Sequence, residues 1–156
     1  MPRAIKFLLS ILSPLVIGGI SGALTAGAVN GWYATLIQPS FNPPNWVFGP
    51  VWTLLYVLMG ISHYRIWSRP KTSERTHALR VFWLQLALNF FWSLIFFGAG
   101  QITWALVEIL LLWCCIAWMI RCFYAIDRRS AWINLPYVAW VSFATALNAA
   151  YAWLNG

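Results

Sequence analysis

The chain has 156 residues, a length that suits one domain. Hydrophobic residues make up 62% and charged residues 8%, against roughly 45–50% and about 25% in soluble domains. A soluble domain of this size cannot bury so much apolar surface. The same composition also excludes a disordered chain and a disulfide scaffold. The formal net charge of +7 raises the possibility of nucleic-acid binding, which the positions of the charges decide.

Long uncharged stretches predict membrane-spanning helices. A helix needs about 20 apolar residues to cross a bilayer, and its backbone groups must pair within the segment. Five such stretches follow one another, at residues 7–28, 45–67, 79–98, 102–122 and 132–153. We therefore predict an all-α integral membrane protein whose residues 1–156 form a single domain, a bundle of five transmembrane helices.

The basic residues lie at the ends of these stretches or between them, in three clusters at residues 3–6, 65–80 and 121–129. With five spans, all three clusters fall on the same side of the membrane. The positive-inside rule then predicts that the N-terminus is cytoplasmic and the C-terminus is outside. The charges are therefore interpreted as orientation signals, nucleic acid is not expected as a partner, and a bacterial cell membrane is the expected location.

The connection between the first two spans, residues 29–44, is long and carries no charge. Loops above about 12–15 residues are usually functional or disordered, and the aromatic and apolar residues here argue against disorder. We predict that this first loop is a folded lid over one mouth of the bundle.

Three of the spans carry aromatic and polar side chains at helical spacing, in the stripes Gly49, Trp52, Tyr56 and His63; Gln85, Asn89 and Trp92; and Trp140, Ala144, Asn148 and Tyr151. Polar groups in lipid are expected to face the bundle interior. Three stripes beneath an aromatic loop favour an apolar ligand pocket with few polar groups. For any single amide, a hydrogen bond between helices is the simpler alternative.

Other polar residues leave alternatives open. Glu108 is the only acid inside a span, so it has either a proton-coupled role or a buried structural hydrogen bond. His63 lies near the basic end of the second span and His77 lies in the loop before the third. Each is either interfacial or an axial ligand of a haem iron. The three Cys residues have no metal-site spacing, and no hydrolase, kinase or metalloprotease motif occurs. No metal site and no obligatory cofactor are expected.

Three segments resemble the TspO family, also known as translocator protein, tryptophan-rich sensory protein or peripheral-type benzodiazepine receptor. They are Trp32-Tyr33 with PSFNPPNWVFGPVW at 39–52, QLALN at 85–89 with FFG at 96–98, and Pro136-Tyr137 through Trp140 to Leu147-Asn148. The first motif is long and specific, and the resemblance covers essentially the whole chain.

The resemblance implies a bundle of five transmembrane helices, usually dimeric, that binds porphyrins, haem, sterols and benzodiazepine-site ligands beneath the first loop. In this sequence we expect ligand contacts from Tyr33, Trp46, Gly49, Trp52, Asn89, Trp92, Trp140, Ala144 and Asn148. In some bacterial members, residues matching Tyr33, Trp52 and Trp140 are associated with light-dependent porphyrin breakdown.

Two positions depart from the family pattern. Phe41 stands where the family often has Trp, so the loop keeps a ring but loses an indole donor. The sterol motif of the last span normally ends in a basic residue, and none follows Tyr151, which weakens the sterol interpretation.

The sequence favours a membrane receptor or carrier for a tetrapyrrole such as protoporphyrin IX or haem, with a sensory or regulatory role. Two alternatives are an enzyme that degrades porphyrin in light and a transporter of sterols or other small molecules. Proton coupling through Glu108 belongs to the transport alternative, and a homodimer is expected in each case.

Overall fold

The structure, a computed structural model, describes residues 1–156 and consists of helices and connecting turns without strands. A 3₁₀ turn at Tyr33–Thr35 lies in the first loop, and a π-helical turn at Leu94–Gly98 continues the third helix. The helices are α1 Arg3–Asn30, α2 Asn45–Trp67, α3 Ser73–Ser93, α4 Ile102–Ile126, the short α5 Arg128–Ile133 and α6 Leu135–Asn155.

Each of the first four helices packs against the next one in the chain, most extensively α1 against α2 and α3 against α4. Helix α6 then packs on α4, and α1 also contacts α3 and its π-helical turn. The central core consists of apolar side chains that are almost wholly buried, including Met59, Phe82, Leu86, Leu112 and Ile116. The result is a helical bundle whose outer surface is apolar.

Close contact between α1 and α2 depends on glycine. A Cβ atom at Gly60 would lie 2.7 Å from both the Ile11 Cα and the Ser10 carbonyl oxygen. At Gly18 it would overlap the ring of Tyr56. Small residues let membrane helices approach closely, and Gly18 and Gly60 do so at this contact.

Four helices are long and apolar enough to cross a membrane, namely α1, α2, α4 and α3 together with its π-helical turn. The chain is accordingly a multi-pass membrane protein. Helix α6 is 21 residues long but falls outside this group. Its amides and its Tyr and Trp residues lower its hydropathy, so the fifth span stays a prediction.

Helix bounds differ from the predicted spans where polar residues extend a helix. The third span was predicted from residue 79, but α3 begins at Ser73, where the Thr72 hydroxyl accepts a hydrogen bond from the Arg75 N–H. The predicted span 132–153 is divided by Asn134, with α5 before it and α6 after it. Hydropathy identifies the apolar part of a helix but not the polar residues at its ends, where the backbone is still helical.

Candidate functional site

A cavity of about 280 Å³ lies between α1, α2 and α3, beneath the first loop. The wall from α1 is small and partly polar, whereas α2, α3 and the loop supply mostly aromatic side chains. The lining residues include Gly18, Ser21, Gly22, Thr25, Tyr33, Asn45, Phe48, Gly49, Trp52, Tyr56, Asn89, Trp92 and Phe97. The small residues of α1 thus leave the space that the aromatic residues enclose.

A second, much smaller cavity of about 20 Å³ lies beside it, against α6. Trp140, Ala144 and Asn148 line it on the α6 side. Both cavities share five aromatic side chains, Tyr33, Phe48, Trp52, Trp92 and Phe97. The two spaces are therefore neighbouring compartments separated by aromatic rings.

The ring of Trp52 lies at the centre of this partition. It stacks on Tyr56 with ring centroids 5.7 Å apart and lies 6.5 Å from the Trp92 ring. The ring of Tyr137, from α6, meets Trp52 edge-on at 6.4 Å. Aromatic faces from three helices therefore meet around one ring, an arrangement suited to stacking on a flat apolar molecule.

A chain of buried hydrogen bonds lies below the larger cavity. The Tyr56 hydroxyl donates to Asn89 Oδ1 at 2.7 Å, and Asn89 Nδ2 donates to the Tyr137 hydroxyl at 3.1 Å. That hydroxyl in turn donates to Gln85 Oε1 at 2.7 Å. Both ends of the Asn89 amide are thus engaged by other helices, so hydrogen bonding between helices is one role that Asn89 fills.

A second amide connects the upper part of the site. The Trp92 indole N–H donates to Asn148 Oδ1 at 3.1 Å, and Asn148 Nδ2 donates to the Ile102 carbonyl oxygen at 3.0 Å. By contrast, the buried indole nitrogen of Trp140 has no hydrogen-bond partner. A buried donor without a partner is costly, and the Trp140 side chain that carries this donor lines the smaller cavity.

The first loop is attached to the C-terminal end of α6. Tyr33 is buried, and the Tyr151 hydroxyl donates to its hydroxyl at 2.7 Å. The Asn155 side chain pairs with the Ile37 backbone, accepting from its N–H at 2.8 Å and donating to its carbonyl oxygen at 3.0 Å. Phe41 packs edge-on against Phe143 of α6, with centroids 6.2 Å apart.

The predicted ligand contacts are distributed unevenly around this site. Tyr33, Gly49, Trp52, Asn89 and Trp92 line the larger cavity, and the three α6 residues line the smaller one. Trp46 lies elsewhere, because it is 75% exposed and lines neither cavity. It shares its outward position with the exposed Trp104, Trp132 and Trp153, as interfacial anchors do.

Four residues that contribute to the site were not predicted from the sequence. Tyr137 was identified only as part of a family motif, although its hydroxyl links Asn89 to Gln85 by hydrogen bonds. Asn155 follows Tyr151 by one helical turn, a spacing that could have drawn attention to it. Ser21 and Thr25 on α1 went unnoticed, since small hydroxyl residues in an apolar helix give little signal.

His63 lies away from both cavities, packed against α1 and α3. Its Nδ1 is 2.9 Å from the Ser10 hydroxyl, and its ring lies 4.5 Å from that of Phe82. His77 instead packs beside Trp118. No group of three or more His, Cys, Asp or Glu side chains is placed to hold a metal ion.

An ion-pair cluster lies at the basic end of the bundle. Asp127 Oδ2 is 2.7 Å from Arg65 Nη2, and Asp127 Oδ1 is 3.1 Å from Arg69 Nη2. The Ser130 hydroxyl donates to Asp127 Oδ2 at 2.6 Å. Burial alone raises the pKa of Asp127, but hydrogen bonds from Ser130 and Arg65 and the charges of Arg65 and Arg69 bring the pKa below its ordinary value.

These features define a class, that of multi-pass helical membrane proteins with an aromatic cavity enclosed between the helices. Residues 10–154 match the sequence model of the TspO/MBR family. The chain is 41% identical over 151 residues to the tryptophan-rich protein TspO of Archaeoglobus fulgidus, covering 97% of each chain. The chain therefore belongs to the TspO/MBR family.

Two further relatives extend the comparison to other groups of organisms. The human translocator protein is 43% identical over 119 residues, which cover 75% of this chain and 70% of that protein. The tryptophan-rich sensory protein of Cereibacter sphaeroides is 34% identical over 127 residues, covering 80% and 78%.

Proposed function

We propose that the protein is a membrane receptor or carrier that binds a porphyrin, such as protoporphyrin IX or haem, in the two aromatic compartments. Family membership supports a receptor or sensory role in general. The observation that carries the proposal is the pair of compartments divided by shared aromatic rings, with the unpartnered Trp140 N–H in the wall.

The sizes of the two compartments indicate that they must change shape for a porphyrin to bind. Ligand pockets usually measure about 300–1,000 Å³, and the larger compartment, at about 280 Å³, lies just below that range. A protoporphyrin is larger than either space alone. Joining the two compartments adds only the small volume of the second one. We therefore propose that the rings of Trp52 and Trp92 turn on binding and that the space between α1, α2 and α3 also widens.

The chemistry of the merged site matches the two parts of a porphyrin. The flat ring stacks on Trp52 and Trp92, and the Trp140 N–H becomes a donor to the ligand. The carboxylates need polar groups near the mouth, where Asn45 lines the cavity and Asn42 lies in the loop. In this proposal the first loop acts as the lid, held by Tyr151 and Asn155.

Titration with protoporphyrin IX tests this site through quenching of tryptophan fluorescence. The Trp52→Ala, Trp140→Ala double variant is expected to bind at least about tenfold more weakly, because it loses a stacking face and a buried donor. The matched control is Trp46→Ala with Trp153→Ala, which removes two exposed indoles. Equal affinity in the first variant and the unchanged protein would exclude the proposed pocket.

A second candidate function is light-dependent porphyrin oxidation. It is favoured by the continuous row of rings from Tyr56 through Trp52 to Trp92, at centroid distances of 5.7 and 6.5 Å. A porphyrin stacked there contacts aromatic rings that can exchange an electron with its excited state, and dioxygen from air is the oxidant that accepts the electrons removed from the porphyrin ring. Illumination of the complex in air is expected to bleach the porphyrin absorbance faster than free porphyrin in detergent, and equal rates would leave binding alone.

We further propose that α6 is a fifth span, which places the N-terminus on the cytoplasmic side of a bacterial cell membrane and the C-terminus outside. The Arg65–Asp127–Arg69 cluster supports this, because it gathers basic segments at one end of the bundle. Thiol labelling of single-cysteine variants at residues 3 and 156 in intact cells tests the topology. Labelling at residue 156 alone by an impermeant reagent is expected.

We also propose that the protein forms a homodimer. Gly19 and Gly27 of α1 have open space where a Cβ atom would stand, so this small-residue row is free for a second copy. The mass of the protein in detergent, corrected for bound detergent, measures the oligomeric state. A monomeric mass at all concentrations would contradict the dimer.

A further inference from the structure

Three arginines on the neighbouring ends of α4 and α5 have no polar partner within the chain. Arg121, Arg128 and Arg129 are exposed, and none of them donates a hydrogen bond or forms a salt bridge. A guanidinium group carries five N–H donors in a planar fork that matches a carboxylate or a phosphate. These three side chains therefore keep both their charge and their donors free for an anionic ligand.

Other arginines at the same end of the bundle are engaged by the protein itself. Arg65 and Arg69 pair with Asp127, at 2.7 and 3.1 Å. Arg75 donates to two backbone carbonyl oxygens, those of Trp67 and Arg69, where α2 ends. The α2 side of the basic end is thus tied by internal contacts, whereas the α4–α5 side is not.

No acid of the chain neutralises the free arginines. The chain has three acidic residues. Asp127 already pairs with two arginines, and Glu74 is exposed at the start of α3 and forms no salt bridge. Glu108 is buried within α4, where neither of its oxygens has a hydrogen-bond partner. The ends of α4 and α5 therefore present positive charge that nothing in the protein compensates.

Tyr124 brings two of these arginines together. The guanidinium carbon of Arg128 lies 5.3 Å from the centre of the Tyr124 ring. Arg121 precedes Tyr124 by three residues on α4, so the two side chains are neighbours on one helix face, with Cβ atoms about 5–6 Å apart. The Tyr124 side chain is exposed, and its hydroxyl forms no hydrogen bond within the chain. Two guanidinium groups thus flank one open ring whose hydroxyl is a further donor.

Helix α5 is held with its basic side outward. Ser130 is buried, and its hydroxyl donates to Asp127 Oδ2, the oxygen that also binds Arg65 of α2. Arg129 and Trp132, three residues apart on this helix, are both exposed. Exposed tryptophans favour the interface between membrane and water, so Trp132 places α5 at the level of the lipid headgroups.

The arginine cluster continues into the lipid-facing side of α4. Before Arg121, exposed side chains recur at Trp118, Cys114 and Leu110, the spacing of one helix face. Arg121 lies five residues before the end of α4, about 7.5 Å along the helix axis. Arginine side chains are long enough to reach the headgroups from such a depth. A molecule bound here has its anionic group among the arginines and its apolar part along α4.

We propose that Arg121, Tyr124 and Arg128 bind the phosphate of an anionic phospholipid of the phosphatidylglycerol class, whose acyl chains lie along the exposed face of α4. Basic pockets at the ends of membrane helices bind anionic headgroups in this way. The charge of Arg129 repels the cationic group of a zwitterionic lipid. A soluble phosphate has no apolar part for the lipid-facing side of α4, so a lipid is the occupant that fits both features. The site shares no residue with the two aromatic compartments.

Photo-labelling of the full-length protein in phosphatidylcholine nanodiscs tests this site. The probes are phosphatidylglycerol and phosphatidylcholine that carry the same diazirine on an acyl chain, and mass spectrometry locates the labelled residues. The phosphatidylglycerol probe is expected to label residues 110–118 roughly tenfold more than the phosphatidylcholine probe does, because only its headgroup is anionic. Millimolar inorganic phosphate is expected to leave this preference unchanged.

A charge-matched pair of variants separates the site from a general attraction of anionic lipids to the basic end. Arg121→Gln with Arg128→Gln is expected to abolish the preference for phosphatidylglycerol at 110–118. Arg3→Gln with Lys71→Gln removes the same charge from α1 and from the connection before α3, and is expected to keep the preference. All four side chains are outside the hydrogen-bonded core, so both variants are expected to melt close to the unchanged protein in detergent.

Equal loss of preference in the two double variants would assign the effect to net charge and would overturn the proposal. A preference that persists in Arg121→Gln with Arg128→Gln would also contradict it. The comparison of the two probes needs no variant, and equal labelling of 110–118 by both would exclude a headgroup site. Displacement of the phosphatidylglycerol probe by inorganic phosphate would indicate a soluble anion as the ligand in place of a lipid.

Discussion

At the scale of single residues, the role of several side chains depends on the residue that they contact on another helix. Asn89 is an example, because its amide has partners on both α2 and α6. Trp140 is the opposite case, a buried donor with no partner in the protein. Two residues with the same predicted role thus differ in what they can offer a ligand: the Trp140 N–H is free, whereas the Asn89 amide must first exchange a bond.

The glycine at the α1–α2 contact provides a test at this scale. Gly60→Ala is expected to lower stability by about 1–3 kcal/mol, because the new Cβ meets backbone atoms that cannot rotate away. Thermal unfolding in detergent measures the effect. The control Gly22→Ala, with no atom within 4 Å of its new Cβ, is expected to cause no loss. Equal melting temperatures for the unchanged protein, Gly60→Ala and Gly22→Ala would contradict a close contact between α1 and α2 at Gly60.

At the scale of elements, the first loop depends on the last helix rather than on its own sequence. Its buried Tyr33 bonds to Tyr151, and its Ile37 backbone is held at both polar atoms by Asn155. These partners are 118 residues apart in the chain. The position of this loop therefore depends on contacts at the end of α6.

Loss of the Asn155 side chain is expected to loosen this loop. In Asn155→Ala the Ile37 N–H loses its acceptor, so hydrogen–deuterium exchange of the peptide covering 31–44 is expected to become faster. The exchange of α2 and α4 is expected to stay unchanged. Asn30→Ala, which removes an exposed amide at the end of α1, is the matched control. Unchanged loop exchange in Asn155→Ala would contradict a role for this anchor.

At the scale of the whole molecule, polarity is divided between the two ends of the bundle. One end carries the Arg65–Asp127–Arg69 cluster, which ties α2 to the segment before α5. The opposite end carries the uncharged loop with its amides and aromatic rings. The aromatic compartments lie at the loop end, remote from the ion pairs.

The ion-pair cluster predicts a dependence of stability on pH. Because the folded-state pKa of Asp127 lies below its ordinary value of about 3.9, its contribution is complete above that value and is lost as pH falls through the folded-state pKa. Asp127→Asn is therefore expected to melt at a lower temperature than the unchanged protein at pH 7. The difference should shrink below pH 4, and a difference that stays constant to pH 3 would contradict this assignment.

The sequence by itself determined the membrane class, the helical content and the approximate place of each long helix, because the requirement to span lipid with paired backbone groups acts on composition and length. Its helical spacing also brought Trp52, Asn89 and Trp92 toward one interior site. Spacing along one helix cannot show whether a side chain reaches a cavity, and Trp46 proved to point outward although its motif neighbours line the site.

The tertiary structure alone decided how the space between the helices is divided. It placed Trp52 and Trp92 between two compartments, gave Asn89 its partners, left Trp140 and Glu108 without any, and attached the first loop to Asn155. Each of these facts depends on distances between residues far apart in the chain. Only the packing of side chains against one another determines those distances, and no local pattern encodes them.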